Sequence, residues 1–315
     1  MSKVHVRIGR DKSEQQTLQL VGTPTVSNVV IMQSEGSMAN KLKFELKNCS
    51  PSLANMLRRV FVSEVPTMAF DRIFVNANEG VVLDELLSHR IGLCPVVAPV
   101  AHFEYITGDV TLDDKASLAK KALLFELDVV APKNQRVTTV YSRHLKFVPL
   151  PGQQSLQGVC IAHDDIPLAK LGPGQRISLK AYAVKGLGCA HAKWSPTSAC
   201  WYEFAPSIQL GVLSSDEAAQ LVSICPKAVF DLEDTSAVVS REESCSLCRE
   251  CLQPRYSFHE KVQISKTSDR ILFIVESVGQ MSSVDIVEVG LKMFSSRCKN
   301  LQGLVTTAAP VVLEK

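Results

Sequence analysis

The stretch that decides the fold runs from Ser50 to Pro95 and reads SPSLANMLRRVFVSEVPTMAFDRIFVNANEGVVLDELLSHRIGLCP. Its first part predicts an amphipathic helix, because Ser50 is a suitable N-cap and Pro51 fits the first helical position. Apolar residues recur there at helical spacing and form one face, namely Leu53, Leu57, Val60 and Phe61. Val65-Pro66 ends the helix, because the residue before a proline avoids the α region.

A strand from about Ala69 to Asn76 and a second short helix from Val82 to Ile91 follow in the same stretch. Both helices carry charged or titratable side chains off their apolar faces, namely Arg58, Arg59, Asp84, Glu85, His89 and Arg90. The usual fate of such side chains is solvation at the surface. The helix–strand–turn–helix order therefore sets a local framework but does not by itself assign these residues a function.

Two segments of this stretch, NMLRRVFVSEVPTMAFDRIFV and LDELLSHRIGLCPV, are followed by VYSRHLKFVP, LGPGQRISLKAYAVKGLGCAHAKWSP and ILFIVESVG. In these words and in their order, the chain closely resembles the α-like subunits of multisubunit DNA-dependent RNA polymerases. The resemblance covers about residues 37–301, with gaps. It implies a non-catalytic subunit on which the large polymerase subunits assemble.

Different segments resemble different polymerases. EVPTMA and HRIGLCPVVAPVAHFEY are most similar to the larger α-like subunit shared by eukaryotic RNA polymerases I and III. The third subunit of RNA polymerase II typically has a cysteine-rich zinc loop, whereas residues 95–159 contain no cysteine here. AYAVKGLGCAHAKWSPT, in contrast, is closer to the polymerase II subunit, which therefore stays as the alternative.

The resemblance implies an α+β fold with a discontinuous dimerisation domain of antiparallel strands and two helices, formed by residues 1–66 and 206–315. A mostly-β domain, residues 67–205, is inserted, and residues 215–260 form a small ferredoxin-like segment. The residue pattern agrees with the strands of this plan. Alternating or continuous apolar runs predict strands at Thr25–Met32, Lys41–Lys47, Leu123–Val130, Val137–Tyr141, Arg176–Val184 and Arg270–Val275.

A last helix begins at Ser282 or Ser283 and is expected to stop at Gly303. One face of this helix is apolar, formed by Val287, Leu291, Phe294, Cys298 and Leu301. The apolar periodicity of the two helices is explained if both apolar faces pack against the sheet of this same chain. The resemblance implies instead that the two helices pack against two helices of a smaller α-like subunit, as an obligate heterodimer. We then expect the isolated chain to be poorly soluble.

The charged residues of the opening stretch match the family segments position by position. The resemblance therefore implies that they dock the heterodimer onto the second-largest, catalytic-core subunit, together with Lys185, His191 and Lys193. The loop that holds these last three contains Gly186-x-Gly188, which superficially suggests nucleotide binding. His191 stands where a third glycine is needed, and Ser195-Pro196 blocks the following helix. A basic loop at a protein contact is the better interpretation.

Cys225-Pro226 and Cys245-x-x-Cys248-x-x-Cys251 form the sharpest chemical signal. Bacterial-type ferredoxins use C-x₂-C-x₂-C-x₃-C-P, in which the fourth cysteine ligates the other cluster. In this chain one of the two clusters has lost its ligands, and Arg255 stands where the second motif should carry its fourth cysteine. The other cluster retains all four of its cysteines, namely Cys225, Cys245, Cys248 and Cys251. Some archaeal α-like subunits carry such a domain. The four thiols could hold one [4Fe–4S] cluster or one Zn²⁺, or could be free thiols of a relic.

Composition limits the other function classes. With 34 basic and 32 acidic residues the net charge is +2, which speaks against a direct DNA binder. No apolar run of membrane-spanning length and no secretory signal occur. Ten cysteines without a signal predict a reducing compartment. Walker loops, nucleophile elbows and D-x-D pairs are absent from the sequence, and Asp113-Asp114 and Asp164-Asp165 are adjacent rather than facing, so we predict no catalytic site.

The sequence thus predicts an assembly subunit of nuclear RNA polymerases I and III, acting in the nucleolus and nucleoplasm. Its expected partners are the smaller α-like subunit, the second-largest subunit and other polymerase subunits, with no membrane contact and no sequence-specific DNA contact. The polymerase II subunit is the nearest alternative. A stand-alone iron–sulfur redox protein, which the four cysteines alone would suggest, is a remote one.

Overall fold

The computed structural model describes residues 23–33, 40–106 and 115–307, which contain five α-helices and fourteen β-strands. The helices are α1 (Pro51–Ser63), α2 (Asp84–Gly92), α3 (Lys115–Ala119), α4 (Ser215–Ile224) and α5 (Ser283–Thr307). The strands are β1 (Thr25–Gln33), β2 (Asn40–Lys47), β3 (Pro66–Asn78), β4 (Val96–Val97), β5 (Ala122–Val130), β6 (Thr138–Tyr141), β7 (Lys146–Val148), β8 (Cys160–Ile161), β9 (Pro167–Leu171), β10 (Arg176–Leu187), β11 (Thr197–Leu210), β12 (Phe230–Glu233), β13 (Ser236–Val239) and β14 (Val262–Ser277).

The helix–strand–turn–helix order predicted for the opening stretch is confirmed in α1, β3 and α2. The Ser50 hydroxyl accepts a hydrogen bond from the Leu53 amide at 3.3 Å, as expected of an N-cap. All six strands predicted from the apolar runs are present, and most extend further than predicted. The pair Asp113-Asp114 lies outside the described residues.

The predicted stop of the last helix at Gly303 is wrong, because α5 continues to Thr307. A glycine inside a helix costs only about 1 kcal/mol relative to alanine, so it does not force an end by itself. Leu301, Gln302 and Leu304, which are good helix formers, flank Gly303 and offset this small penalty.

The described chain divides into two compact units, and the first contains residues 23–29, 44–55 and 202–273. It includes parts of the strands β1, β2, β14 and β11, which are neighbours in that order in one sheet. The Phe44 and Phe273 rings stack at 5.2 Å in this unit. A second apolar cluster surrounds Phe230 and Phe258 and includes Cys251. This unit therefore holds the whole cysteine-rich segment on a sheet formed by distant parts of the chain.

One carboxylate, Glu45, is fully buried in this first unit. Burial alone would raise its pKa, but the Arg270 guanidinium, whose Nε lies 2.7 Å away, outweighs that effect and lowers it. Ser27 and Asn28 donate two further hydrogen bonds to the same carboxylate, at 3.1 and 2.8 Å. The ion pair thus joins β2 to β14, and the two further hydrogen bonds join β1 to them.

The second unit contains residues 30–33, 40–43, 56–106, 115–201 and 274–307. Its main sheet has the order β3-β10-β5-β7, and every neighbouring pair of strands in it is antiparallel. α2 covers one face of this sheet through Leu87 and Ile91, both of which are buried in the largest apolar cluster. The division into these two units does not test the predicted domain boundaries at residues 66/67 and 205/206, which stay a prediction.

No helix among the described residues has the length and apolar character that crossing a membrane requires.

Candidate functional site

α5 carries the apolar face that was predicted for the last helix, here named the α5 stripe: Val287, Leu291, Phe294, Cys298 and Leu301. Leu291 is 42% exposed and Leu301 is 62% exposed. Cys298 is also exposed, whereas Val287 and Phe294 are half-buried. Leu304 and Val305 extend the exposed apolar surface toward the end of the helix. The stripe is therefore a continuous apolar surface that this chain leaves largely uncovered.

A different face of α5 packs against α1. Ile286 is fully buried, and Gly290 lies so close to Phe61 that an added Cβ would stand 2.6 Å from the ring atom Cδ1. Two turns further along α5, Arg297 forms an ion pair with Glu64, which directly follows α1. The glycine thus allows the two helices to meet at close range.

The predicted interface residues of α1 are placed differently from those of α5. Leu57, Val60 and Phe61 are buried within this chain, and Leu53 is half-buried. The α1 face therefore contributes to internal packing, and the exposed apolar surface is provided by α5. That the two helices form a partner interface stays a prediction. Gly290 was missed by sequence reasoning, although a glycine inside an apolar helical pattern can indicate close packing.

Three of the predicted docking residues surround one cavity of about 300 Å³, here named the α2 cavity. His89 comes from the last turn of α2, whereas His191 and Lys193 come from the loop after β10. The cavity is lined by Phe70, Asp71, Ile73, Ser88, His89, Gly92, Leu93, His191 and Lys193. Residues that are about 100 positions apart in the sequence thus form a single polar and apolar pocket.

The other predicted docking residues lie outside that cavity. Arg90 donates to the Pro167 carbonyl oxygen, and Asp84 accepts a hydrogen bond from Asn78 at 2.7 Å. The Lys185 ammonium donates to the Phe103 carbonyl at 2.9 Å, and burial lowers its pKa. Arg58 is half-buried, and Arg59 and Glu85 are exposed. Arg90, Asp84 and Lys185 thus also support local structure, and docking by the whole set stays a prediction.

The two glycines of the 185–195 loop are required by packing. A Cβ on Gly186 would lie 2.3 Å from the Trp194 ring, and one on Gly188 would lie 2.6 Å from the Val62 carbonyl oxygen. Both positions are therefore filled by protein atoms, which leaves no space there for a phosphate. This geometry argues against nucleotide binding, and the interpretation of the loop as a protein contact stays a prediction.

The four predicted cysteine ligands line one small cavity in the first unit. Cys225 follows α4, and the other three come from the segment 245–251. The cavity has a volume of about 20 Å³ and includes apolar walls from Val229, Phe230 and Ile264. Leu247 and Arg249 adopt left-handed conformations, with φ of 56° and 60°, in the segment that carries the three cysteines. The fold thus gathers all four thiols, although Cys225 is twenty positions from the next.

Backbone amides and burial act on these thiols in opposite directions. The Val229 amide donates to Cys225 Sγ at 3.4 Å. Burial raises the pKa of Cys245, while a hydrogen bond from the Leu247 backbone lowers it. Burial, with a smaller contribution from the three neighbouring thiols, raises the pKa of Cys251 to about 11. Among the described residues, no group of three or more His, Cys, Asp or Glu side chains is arranged to hold a metal ion as it stands.

α4, which leads into Cys225, is fixed at its start by Glu217. The Ser214 amide donates to Glu217 Oε2 at 2.9 Å, and the Glu217 amide donates to Ser214 Oγ at 3.4 Å, which forms a capping box. Lys261 Nζ lies 2.7 Å from the same carboxylate, and Ser257 donates to it at 3.0 Å. The hydrogen bonds from Lys261, Ser214 and Ser257 lower the pKa of Glu217 to about 2.

We expect the anchoring of α4 to weaken in acid. Because the pKa of Glu217 is about 2 in the folded chain and 4.5 in the reference state, its stabilisation is complete above pH 4.5 and is lost as the pH falls toward 2. Amide hydrogen exchange of α4 should accelerate over that pH range relative to the intrinsic rate. Glu217→Gln should show the faster exchange already at pH 7, whereas exposed Glu260→Gln should not. Equal protection of α4 in Glu217→Gln would contradict this role.

Comparison with known proteins gives a consistent result. The family model described as the RNA polymerase Rpb3/Rpb11 dimerisation domain matches residues 43–298. DNA-directed RNA polymerases I and III subunit rpac1 of Dictyostelium discoideum is 35% identical over 82% of this chain and 77% of its own length. The yeast subunit RPAC1 of the same two polymerases is 31% identical over 85% of each chain. RNA polymerase II subunit rpb3 of D. discoideum is 31% identical over 82% of this chain and 89% of its own length.

Proposed function

Because this chain belongs to the RNA polymerase Rpb3/Rpb11 dimerisation family, we propose that it is the non-catalytic assembly subunit shared by RNA polymerases I and III. The observation that carries this proposal is the match to subunits named for those two polymerases over more than four-fifths of the chain. The polymerase II relative from the same organism shares less identity, 31% against 35%. A nuclear location follows for a subunit of these enzymes, and we place it in both nucleolus and nucleoplasm.

Two surfaces support specific partners for this subunit. The α5 stripe offers an uncovered apolar helix face, which is the kind of surface that an obligate heterodimer buries. We assign it to the smaller α-like subunit. The residues around α2, together with Arg58 and Arg59 on α1, are assigned to the second-largest subunit, since arginine pairs bidentately with carboxylates and backbone carbonyls. Residues 67–205 are then the inserted domain, and residues 215–260 the ferredoxin-like segment.

Purification of the tagged chain from its native cells tests the proposal directly. Mass spectrometry of the complex should find the largest and second-largest subunits of both RNA polymerase I and RNA polymerase III. Recovery of the polymerase II large subunits instead would assign the chain to that enzyme. Recovery without any polymerase subunit would reject the assembly function altogether.

The four cysteines are proposed to hold a metal ion as a structural crosslink between the end of α4 and the 245–251 segment. Four cysteine sulfurs are a suitable donor set for Zn²⁺ or for an iron–sulfur cluster. A cavity of about 20 Å³ has room for little more than one water-sized sphere, which favours a single Zn²⁺ over the eight atoms of a [4Fe–4S] cluster. Protonated thiols do not attract one another, whereas thiolates converge on a cation. Binding of the metal ion would therefore turn the four sulfur atoms toward it.

We expect the chain, purified without chelator and without oxygen, to contain one zinc ion and little iron by elemental analysis. Cys248→Ser should lower the zinc content to near zero, because three thiolates hold zinc more weakly than four. Cys160→Ser, which changes an exposed cysteine outside the cluster, should leave it unchanged. Four iron atoms per chain would favour the cluster, and a metal-free chain with four titratable thiols would reject both.

A further inference from the structure

The α2 cavity has apolar walls, and exposed leucines lie on the helix beside it. Phe70, Ile73 and Leu93 contribute its apolar lining. Leu83 and Leu86, at the start and middle of the neighbouring helix, are 71% and 52% exposed. Leu93 is itself 48% exposed at the cavity, and His89 and Arg90 separate it along α2 from Leu86 and Leu83. Exposed apolar surface next to a pocket is typical of a site that receives an anchoring side chain.

The charged groups at the rim of the α2 cavity already pair with each other. Lys193 Nζ lies 2.7 Å from Asp71 Oδ1, so the positive and the negative charge of the rim are paired with each other. The Lys193 backbone amide donates to His191 Nδ1 at 3.1 Å. In the neutral ring this hydrogen bond assigns the proton to Nε2, which makes that nitrogen a donor. The rim thus offers hydrogen bonds but no unpaired charge.

We propose that the α2 cavity receives a tyrosine side chain from the second-largest polymerase subunit. This step rests on the proposed assembly function. A carboxylate or a guanidinium would be desolvated in the cavity without a free counter-charge, which is costly. Tyrosine instead brings an apolar body for the walls and a hydroxyl that can accept from His191 Nε2, and it is enriched among interface anchors.

A fragment titration tests the chemistry of the cavity in the absence of the second-largest subunit. The full chain, purified with its smaller partner, is titrated with p-cresol, acetate or guanidinium while the imidazole proton signals of His89 and His191 are recorded. We expect saturable shifts with p-cresol only. Saturation by acetate or guanidinium instead, or no saturation by p-cresol, would overturn the proposal while leaving the assembly function to be judged by co-purification.

Gly92 offers a variant that fills the cavity without disturbing the fold. An added Cβ there would meet only the Phe70 carbonyl oxygen, at the ordinary distance of 3.7 Å. Gly92→Leu should therefore keep the thermal midpoint but abolish the p-cresol shifts and weaken binding of the second-largest subunit at least tenfold. Gly92→Ala, which leaves most of the space, is the matched control. Normal binding of that subunit to Gly92→Leu would overturn the assignment of the occupant.

Discussion

The double substitution Leu291→Asp and Leu301→Asp should weaken binding of the smaller α-like subunit at least 100-fold. Both leucines belong to the α5 stripe and are exposed in this chain. Burying a fully exposed leucine side chain contributes about 1.5–3 kcal/mol, and the exposed parts of Leu291 and Leu301, 42% and 62%, together amount to about one such side chain. This is close to the energy of a 100-fold change, about 2.8 kcal/mol. The aspartates would add the cost of burying charges without partners. Affinity measured by calorimetry or by competition with the unmodified chain gives the result.

The same experiment includes a control on the same helix. Ser296→Asp with Asn300→Asp introduces two aspartates at exposed positions of α5 outside the stripe. This pair should retain the affinity of the unmodified chain within a few-fold. Because all four positions are exposed, neither double variant should lower the thermal midpoint strongly. Equal affinity of the stripe variant and the control variant would show that the smaller subunit binds elsewhere.

Gly290→Ala should destabilise the chain, although glycine-to-alanine changes inside helices normally stabilise by about 1 kcal/mol. The new Cβ would lie 2.6 Å from Cδ1 and 2.8 Å from Cε1 of Phe61, whose side chain is fully buried. The ring has no solvent space to move into, so the helices must separate or strain. Overpacking of this kind costs about 1–3 kcal/mol. The midpoint of urea unfolding should fall accordingly.

Gly303→Ala is the matched control, because Gly303 lies on the same helix and a Cβ there would meet no atom within 4 Å. Its unfolding midpoint should stay the same or rise. Phe61→Leu, a smaller side chain, should recover part of the loss when it is combined with Gly290→Ala. If Gly290→Ala proved as stable as Gly303→Ala, close packing of α1 on α5 would be refuted.

Local patterns predicted the secondary structure well, for reasons that individual residues illustrate. Ser50 and Pro51 mark the start of α1 because capping depends on adjacent residues only. Alternation in the Arg176–Val184 segment predicts β10 because side chains in a strand point to opposite faces in turn. The end of α5 was missed because glycine is a weak signal, and its effect depends on the helical neighbours beyond it.

The sequence by itself determined the family, the assembly function and the two amphipathic helices, because all of these are written in residue types and short spacings. The four cysteines as ligands of one metal stay a prediction. The tertiary structure alone decided which helix face stays uncovered, since burial depends on contacts between residues far apart in the chain. Phe61 is covered by Gly290, 229 positions later, whereas Leu301 meets solvent. The same long-range packing placed His89 and His191 around one cavity, and Cys225 and Cys248 around another.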